Sequence, residues 1–327
     1  MEAGGSKAVI FVAFACNLGI AVAKFIAAAW TQSSAMASEA IHSLVDTSNQ
    51  LLLLFGISRA ARPPDAQHPF GYGKEIYFWS FIVAMVLFAL GAGVAIYEGI
   101  EKIFRPHPLR DVFWVYAVLF VAIALEGYSM VKAVREFNVR RRSSGLGFVA
   151  ALRASKDPSL FAIVLEDAAA ITGLLIALVG TLAADFGGYE RADGIASILI
   201  GCVLAFVAAF MSIEIRSLIV GESASRTVQM GLREIVAREA GPDKPIRAIN
   251  EIRTMHLGPQ DVLVTASVDF EDWVSARTVE DVTARLQNAI KSRYPEVQHL
   301  FIEVQSEQAF QANKATPGVR TVGSSAH

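Results

Sequence analysis

Apolar residues fill the first 220 positions in long runs broken by short polar stretches, and from about residue 221 the pattern changes to that of an ordinary soluble domain. A helix needs roughly 20 mostly apolar residues to cross a bilayer. Six stretches meet that requirement, near 8–30, 35–58, 76–100, 112–134, 160–184 and 194–219. The first follows a short polar start, but its apolar run is longer than the core of a signal peptide. Asn17 and Lys24 also interrupt it, so it reads as a retained span. The tight uncharged segment Thr31-Gln32-Ser33-Ser34-Ala35 joins spans one and two and predicts a helical hairpin.

The C-terminal third has shorter periods. Residues 224–240 have helical spacing and end at Gly241-Pro242. Residues 248–257 and 262–270 read as strands, the second with Val262, Val264, Ala266, Val268 and Phe270 on one face. An amphipathic helix is expected over 275–293, with Ser275 as its N-cap. Residues 298–305 alternate again, with Leu300, Ile302 and Val304 expected to face inward. This order of helix, strand, strand, helix, strand predicts a small α+β sandwich. The expected organisation is an all-α polytopic membrane domain of six transmembrane helices over 1–220, a cytoplasmic αββαβ domain over 221–306, and a disordered tail over 307–327.

Composition supports that division. The chain is 54% hydrophobic and 18% charged, with a mean hydropathy of +0.44, whereas soluble proteins carry about 25% charged residues. A disordered chain, a collagen and a disulfide scaffold are excluded, and a net charge of -2 offers no basic footprint for nucleic acid. Cys16 and Cys202 lie in apolar runs and read as buried small hydrophobes. Lys and Arg are unequally shared between the flanks. One side holds Lys7, Arg59, Arg62, Lys74, Lys132, Arg135, Arg140, Arg141, Arg142, Arg153 and Lys156, and the other holds Lys102, Arg105, Arg110 and Arg191. The positive-inside rule then places both termini in the cytoplasm of a multi-pass protein embedded in membrane lipid, with the plasma (inner) membrane as the expected host.

Ionisable groups at membrane depth are costly unless paired, hydrated or metal-bound, so they carry the functional signal. Glu39, His42, Asp46 and Asn49 fall on one face of span two. In span five, Glu166 and Asp167 are adjacent and diverge by about 100° around the helix, and Ala168, Ala169 and Ala170 beside them permit close approach of another helix. Asp167 placed near His42 and Asp46 gives one imidazole and two carboxylates, a nitrogen–oxygen set suited to zinc and other first-row divalent metals. Water, Glu39, Asn49 or Glu166 are the candidates for a fourth ligand. Lys24 is expected to pair with Glu126 or Glu166, and Asp185 and Asp193 are expected to be solvated cap residues.

The segment from Ser38 to Ser80 resembles the cation diffusion facilitator transporters. The features that carry the resemblance are the His42–Asp46 pair in span two, the loop HPFGYGK (68–74), the end of span three (YEGIEKI, 97–103) and the C-terminal αββαβ domain. The resemblance implies divalent metal/proton antiport by a homodimer, most often zinc export from the cytosol, with no resident cofactor and no enzymatic step. The C-terminal domain is expected to be ferredoxin-like. The family's span-two ligands fall on His42 and Asp46, and its span-five aspartate on Asp167. Its span-five histidine position is Ile163 here, which leaves Glu166 or water as substitute. A family site in the cytoplasmic loop matches at Asp65 and His68, with Tyr72 in the third position, and a folded turn is the favoured reading there. In the cytoplasmic domain His256 and His299 are the remaining candidates for metal, with Glu303 on the strand face of His299. The competing readings are a manganese, iron or cobalt transporter of the same fold, an intramembrane enzyme, and a non-transporting metal sensor or scaffold.

Overall fold

The computed structural model describes residues 18–106, 111–142, 147, 156 and 158–315; some side chains within 132–140 and 159–163, and those of 141–142, are outside that description. The chain divides into two compact units, Met1–Ile219 and Val220–His327.

Helices build the first unit. They are α1 (Leu18–Thr31), α2 (Ser34–Ala60), α3 (Glu75–Phe104), α4 (Val112–Arg142), α5 (Pro158–Asp185) and α6 (Arg191–Val220). Four are long and apolar enough to cross a membrane, over Glu75–Phe104, Val112–Val131, Val164–Asp185 and Arg191–Val220. Helix α1 is apolar but shorter in the described part. Helix α2 has 27 residues, but its polar stripe dilutes its hydropathy below that of the other four.

Local chemistry sets the helix ends. Gln32 takes φ 59 in the turn after α1, and Ser33 caps α2 by accepting from the Met36 N–H. The two-residue turn makes α1 and α2 antiparallel neighbours. Helix α3 carries a π-helical stretch at Leu87–Ala92, an insertion that bends a helix and redirects its faces. Its second half packs closely on α6 because the seam is made of small residues. A Cβ at Gly99 would lie 2.6 Å from the Gly194 carbonyl oxygen, and one at Gly201 would lie 3.0 Å from that of Ala92. Ser197 donates to the Ala95 carbonyl at 2.8 Å and also bonds Ser38 of α2. Close backbone approach supplies the packing that hydrophobicity cannot supply between helices in lipid.

The C-terminal unit contains α7 (Arg226–Ala237), β1 (Ile246–Gly258), β2 (Asp261–Phe270), α8 (Ala276–Arg293), β3 (Val297–Val304) and α9 (Glu307–Ala315). The sheet order is β1-β2-β3. Strands β1 and β2 pair antiparallel, and β2 and β3 pair parallel, as a helical crossover requires. Val262, Val264, Ala266, Val268 and Phe270 are all buried, and all but Ala266 meet Leu232, Val282, Leu286 and Ile290 in one core. Ser275 caps α8 through the Thr278 N–H at 3.2 Å.

Three expectations need correction. The tail is not disordered over residues 307–315, which form α9. The Ser306 hydroxyl accepts from Ala309 N–H at 3.2 Å, and the buried Asp269 carboxylate accepts from Glu307 N–H at 3.0 Å. Val304 does not face inward and is 54% exposed, because β3 is an edge strand that ends there. Cys202 is exposed on α6 rather than buried. Cys16, Asn17 and residues 316–327 lie outside the described residues.

Candidate functional site

The polar face expected on α2 is present and buried. Glu39, His42 and Asn49 are each 1% exposed or less. The α1–α2 turn explains the cation beside them. Measured along the two antiparallel helices, the position opposite Lys24 falls between Glu39 and Ser43. Lys24 Nζ donates to Ser43 Oγ at 2.8 Å and to Glu39 Oε2 at 3.3 Å. The expected partners Glu126 and Glu166 are therefore replaced by Glu39, which the hairpin brings nearer.

His42 Nδ1 lies 3.5 Å from Asp46 Oδ1. Among the described residues neither atom finds a hydrogen-bond partner, and neither do His42 Nε2, Glu39 Oε1 or Asn49 Oδ1, although all five are buried. Buried polar atoms nearly always find partners, so a row of unsatisfied ones asks for a ligand.

Helix α5 meets this face with Glu166 rather than Asp167. Asn49 Nδ2 donates to Glu166 Oε1 at 2.9 Å, whereas Asp167 Oδ2 accepts from Ser129 Oγ of α4 at 3.1 Å. Asp46 is within electrostatic reach of Glu166, Glu126, Glu39 and Lys24. Gly173 of α5 sits against Glu39 Oε1, where a Cβ would collide with the carboxylate. Ile163 is among the residues whose side chains are outside the description. Among the described residues, no three His, Cys, Asp or Glu side chains converge closely enough to hold a metal ion.

At the α1–α2 turn Asp193 is fully buried, which corrects its expected role as a solvated cap. Its carboxylate accepts from Ser33 Oγ at 2.6 Å, from Ser34 N–H at 2.7 Å and from Ser34 Oγ at 2.9 Å. The Ser34 N–H of the first turn of α2 and two serine hydroxyls together solvate it. Lys102 Nζ donates to the Gln32 carbonyl at 2.6 Å and closes the same corner. Sequence reading missed this cluster, although the Ser33-Ser34 pair at a helix start was a signal for an anion there. Asp185 is exposed and accepts from Tyr116.

The 61–74 loop folds on Asp65. Its Oδ1 accepts from the N–H groups of Gln67 at 2.9 Å and His68 at 2.7 Å, and its Oδ2 accepts from the Tyr72 hydroxyl at 2.6 Å. The Tyr72 and His68 hydrogen bonds hold its carboxyl at about 2, below the usual range, and the same bond raises the Tyr72 phenol. His68 Nδ1 is 3.3 Å from Asp65 Oδ1, and the His68 and Tyr72 rings stack with centroids 4.3 Å apart. Gly71 at φ +80 lets the turn close.

In the C-terminal unit His256 is buried, with Nδ1 3.1 Å from the Gly258 carbonyl oxygen. His299 Nε2 lies 3.7 Å from Asp261 Oδ1. Burial raises the Asp261 carboxyl, partly offset by the two histidines. Glu303 is exposed on β3.

A family model, the cation efflux transmembrane domain, matches residues 10–220, about two thirds of the chain. The chain is similar to the mitochondrial proton-coupled zinc antiporter SLC30A9 of Xenopus laevis, at 31% identity over 92% of this chain and 60% of that protein. It is also similar to that of Homo sapiens, at 33% over 91% and 52%. Metal tolerance protein C4 of Arabidopsis thaliana is 29% identical over 81% of this chain and 57% of that protein. The chain thus spans little more than half the length of these relatives. The matched membrane region and the apolar helices agree: the chain is an integral, multi-pass membrane protein and belongs to the cation diffusion facilitator family.

Proposed function

We propose that this protein exchanges a divalent metal cation, zinc first, for protons and exports the metal from the cytosol as a homodimer. The observation that carries this reading is the row of buried, unsatisfied atoms on α2: both ring nitrogens of His42, Asp46 Oδ1 and Asn49 Oδ1. Such atoms are costly in a low-dielectric interior unless a ligand or protons satisfy them. His42 offers nitrogen and Asp46 oxygen. Helix α5 supplies the carboxylates, with Glu166 turned toward α2 and Asp167 one residue on. A small inward movement or rotation of α5 completes the set around a cation. The ligands take metal only when deprotonated, so loading releases protons and unloading takes them up. A cluster that holds cation or protons, and is never empty, couples the two flows. Access alternates by rocking of the helices around the site. The six helices are six crossings, with both termini on the Lys/Arg-rich cytoplasmic side of a plasma or inner membrane. The C-terminal unit, of ferredoxin-like type, holds the two protomers together.

A second reading keeps the site and changes the ion. His42 is the single nitrogen donor among oxygens, a balance that moves preference toward manganese, iron(II) or cobalt. One experiment serves both. The full chain is reconstituted in liposomes under a set pH gradient, and uptake is measured for each metal alone and in competition. Zinc is expected to drive proton flux in the wild type, and Asp46→Ala and Asp167→Ala to bring it to background. Unchanged flux in both variants overturns the proposal.

A further inference from the structure

The proposed transport site contains an ionisable group that the exchange itself does not use. Lys24 is 1% exposed, in the middle of α1. A buried ammonium is retained only where paired and hydrogen-bonded, and Lys24 has both, from Glu39 and Ser43. Its partner Glu39 belongs to the same stripe as His42, Asp46 and Asn49, so the pair lies inside the polar cluster rather than beside it. The charged groups around it are Glu39 and Asp46 of α2, Glu126 of α4 and Glu166 of α5.

The geometry splits the stripe into two halves. At the Glu39 end one carboxylate oxygen is taken by Lys24, and the other, without a hydrogen bond among the described residues, lies where a Cβ on Gly173 of α5 would sit. At the other end His42, Asp46 and Asn49 have unsatisfied atoms and Glu166 opposite them. We propose that Lys24 is a tethered counter-cation that withdraws Glu39 from the ligand set and confines a single divalent ion to the His42–Asp46–Glu166 end. An ammonium beside the site repels an incoming cation and offsets the carboxylate that would otherwise attract it. Lys24 is therefore a positioning residue that sets the affinity and number of bound ions. The assignment rests on the transport reading given above.

Zinc binding to the purified full chain in detergent, read by competition with a chelating dye, tests it. Monodispersity on size exclusion serves as the check of fold. K24Q is expected to bind zinc at least about tenfold more tightly, or to bind a second ion, because Glu39 is released. K24R, which keeps the charge, is expected to match the wild type. K24Q/E39Q removes the pair together and is expected to return to one ion with affinity near that of the wild type. Unchanged or weaker binding in a monodisperse K24Q overturns the proposal. Loss of binding in K24Q/E39Q does so as well, because Glu39 is then itself a ligand. If K24Q does not assemble, K24R and the double variant decide on the same criteria. His42→Ala separates the two readings. A wild type whose binding is abolished by His42→Ala but is indifferent to the Lys24 series sinks only the Lys24 assignment. A wild type that binds no zinc sinks both.

Discussion

Three donors converge on Asp65 at the surface: two successive backbone N–H groups and the Tyr72 phenol. Each stabilises the ionised carboxylate, so its pKa in the fold is held down to about 2, below that of an ordinary aspartate. A depressed folded pKa means that the loop gains order above the unfolded pKa and loses it as pH falls through the folded one. The Gln67 backbone amide, which donates to Asp65, is expected to show an NMR shift change centred between about pH 4 and 2. Asp65→Asn abolishes that transition and brings the Tyr72 phenol back toward an ordinary value. A transition of unchanged midpoint in Asp65→Asn assigns it elsewhere. At this scale, spacing was informative where one helix face decided the outcome. His42 and Asp46, four apart, had to share a side, and the structure places them 3.5 Å apart. Spacing could not choose between Glu166 and Asp167. The rotation of α5 is set by its packing on α2 and α4, which turns Glu166 to Asn49 and Asp167 to Ser129. The partner of Lys24 was missed for a related reason, since it depends on how tightly the first turn closes.

Helix ends account for much of what holds the first unit together. Asp193, at the start of α6, is buried and satisfied by the start of α2 through three hydrogen bonds. Asp193→Ala leaves two serine hydroxyls and a helix N-terminal N–H unpaired, and is expected to destabilise the membrane unit by about 1–3 kcal/mol. Asp193→Asn retains one acceptor oxygen and is expected to cost less. Thermal unfolding in detergent measures both, and equal, near-zero shifts argue that the corner is dispensable. The sequence marked where helices run but not how their ends pair. Runs of apolar residues specify length, and the Ser275 cap and the Gly241 break were visible locally. The carboxylate between Ser33 and Ser34 comes from a residue about 160 positions away. Helix α9 was missed because its composition, EQAFQANKA, resembles that of a tail. Its helix formers are anchored by a cap and by Asp269, neither of which is a periodic signal. The π-helical stretch in α3 has no compositional mark either.

The two units are built for different solvents. Phe113, Trp114, Phe120, Phe206 and Ile213 project from the outer surface of the first unit, each more than half exposed. That surface is stable only against lipid, and aromatic residues near helix ends such as Trp30, Phe104 and Tyr189 suit the interface. The C-terminal unit instead closes its own core, with Leu232, Val264, Val282, Leu286 and Ile290 each 2% exposed or less. Its helices α7 and α8 cover one face of the sheet, and the short edge strand β3 ends in exposed polar and apolar residues. The residues of this core all belong to the C-terminal unit, and it is expected to fold by itself. Residues 221–315 expressed alone are expected to unfold cooperatively in urea with a single transition. Leu232→Ala, which empties a fully buried position, is expected to lower the stability of that fragment by about 2–5 kcal/mol. Exposed Met230→Ala on the same helix is expected to change it by less than about 0.5 kcal/mol. A non-cooperative fragment, or equal effects of the two substitutions, would mean that the helices of the first unit are needed to complete this core.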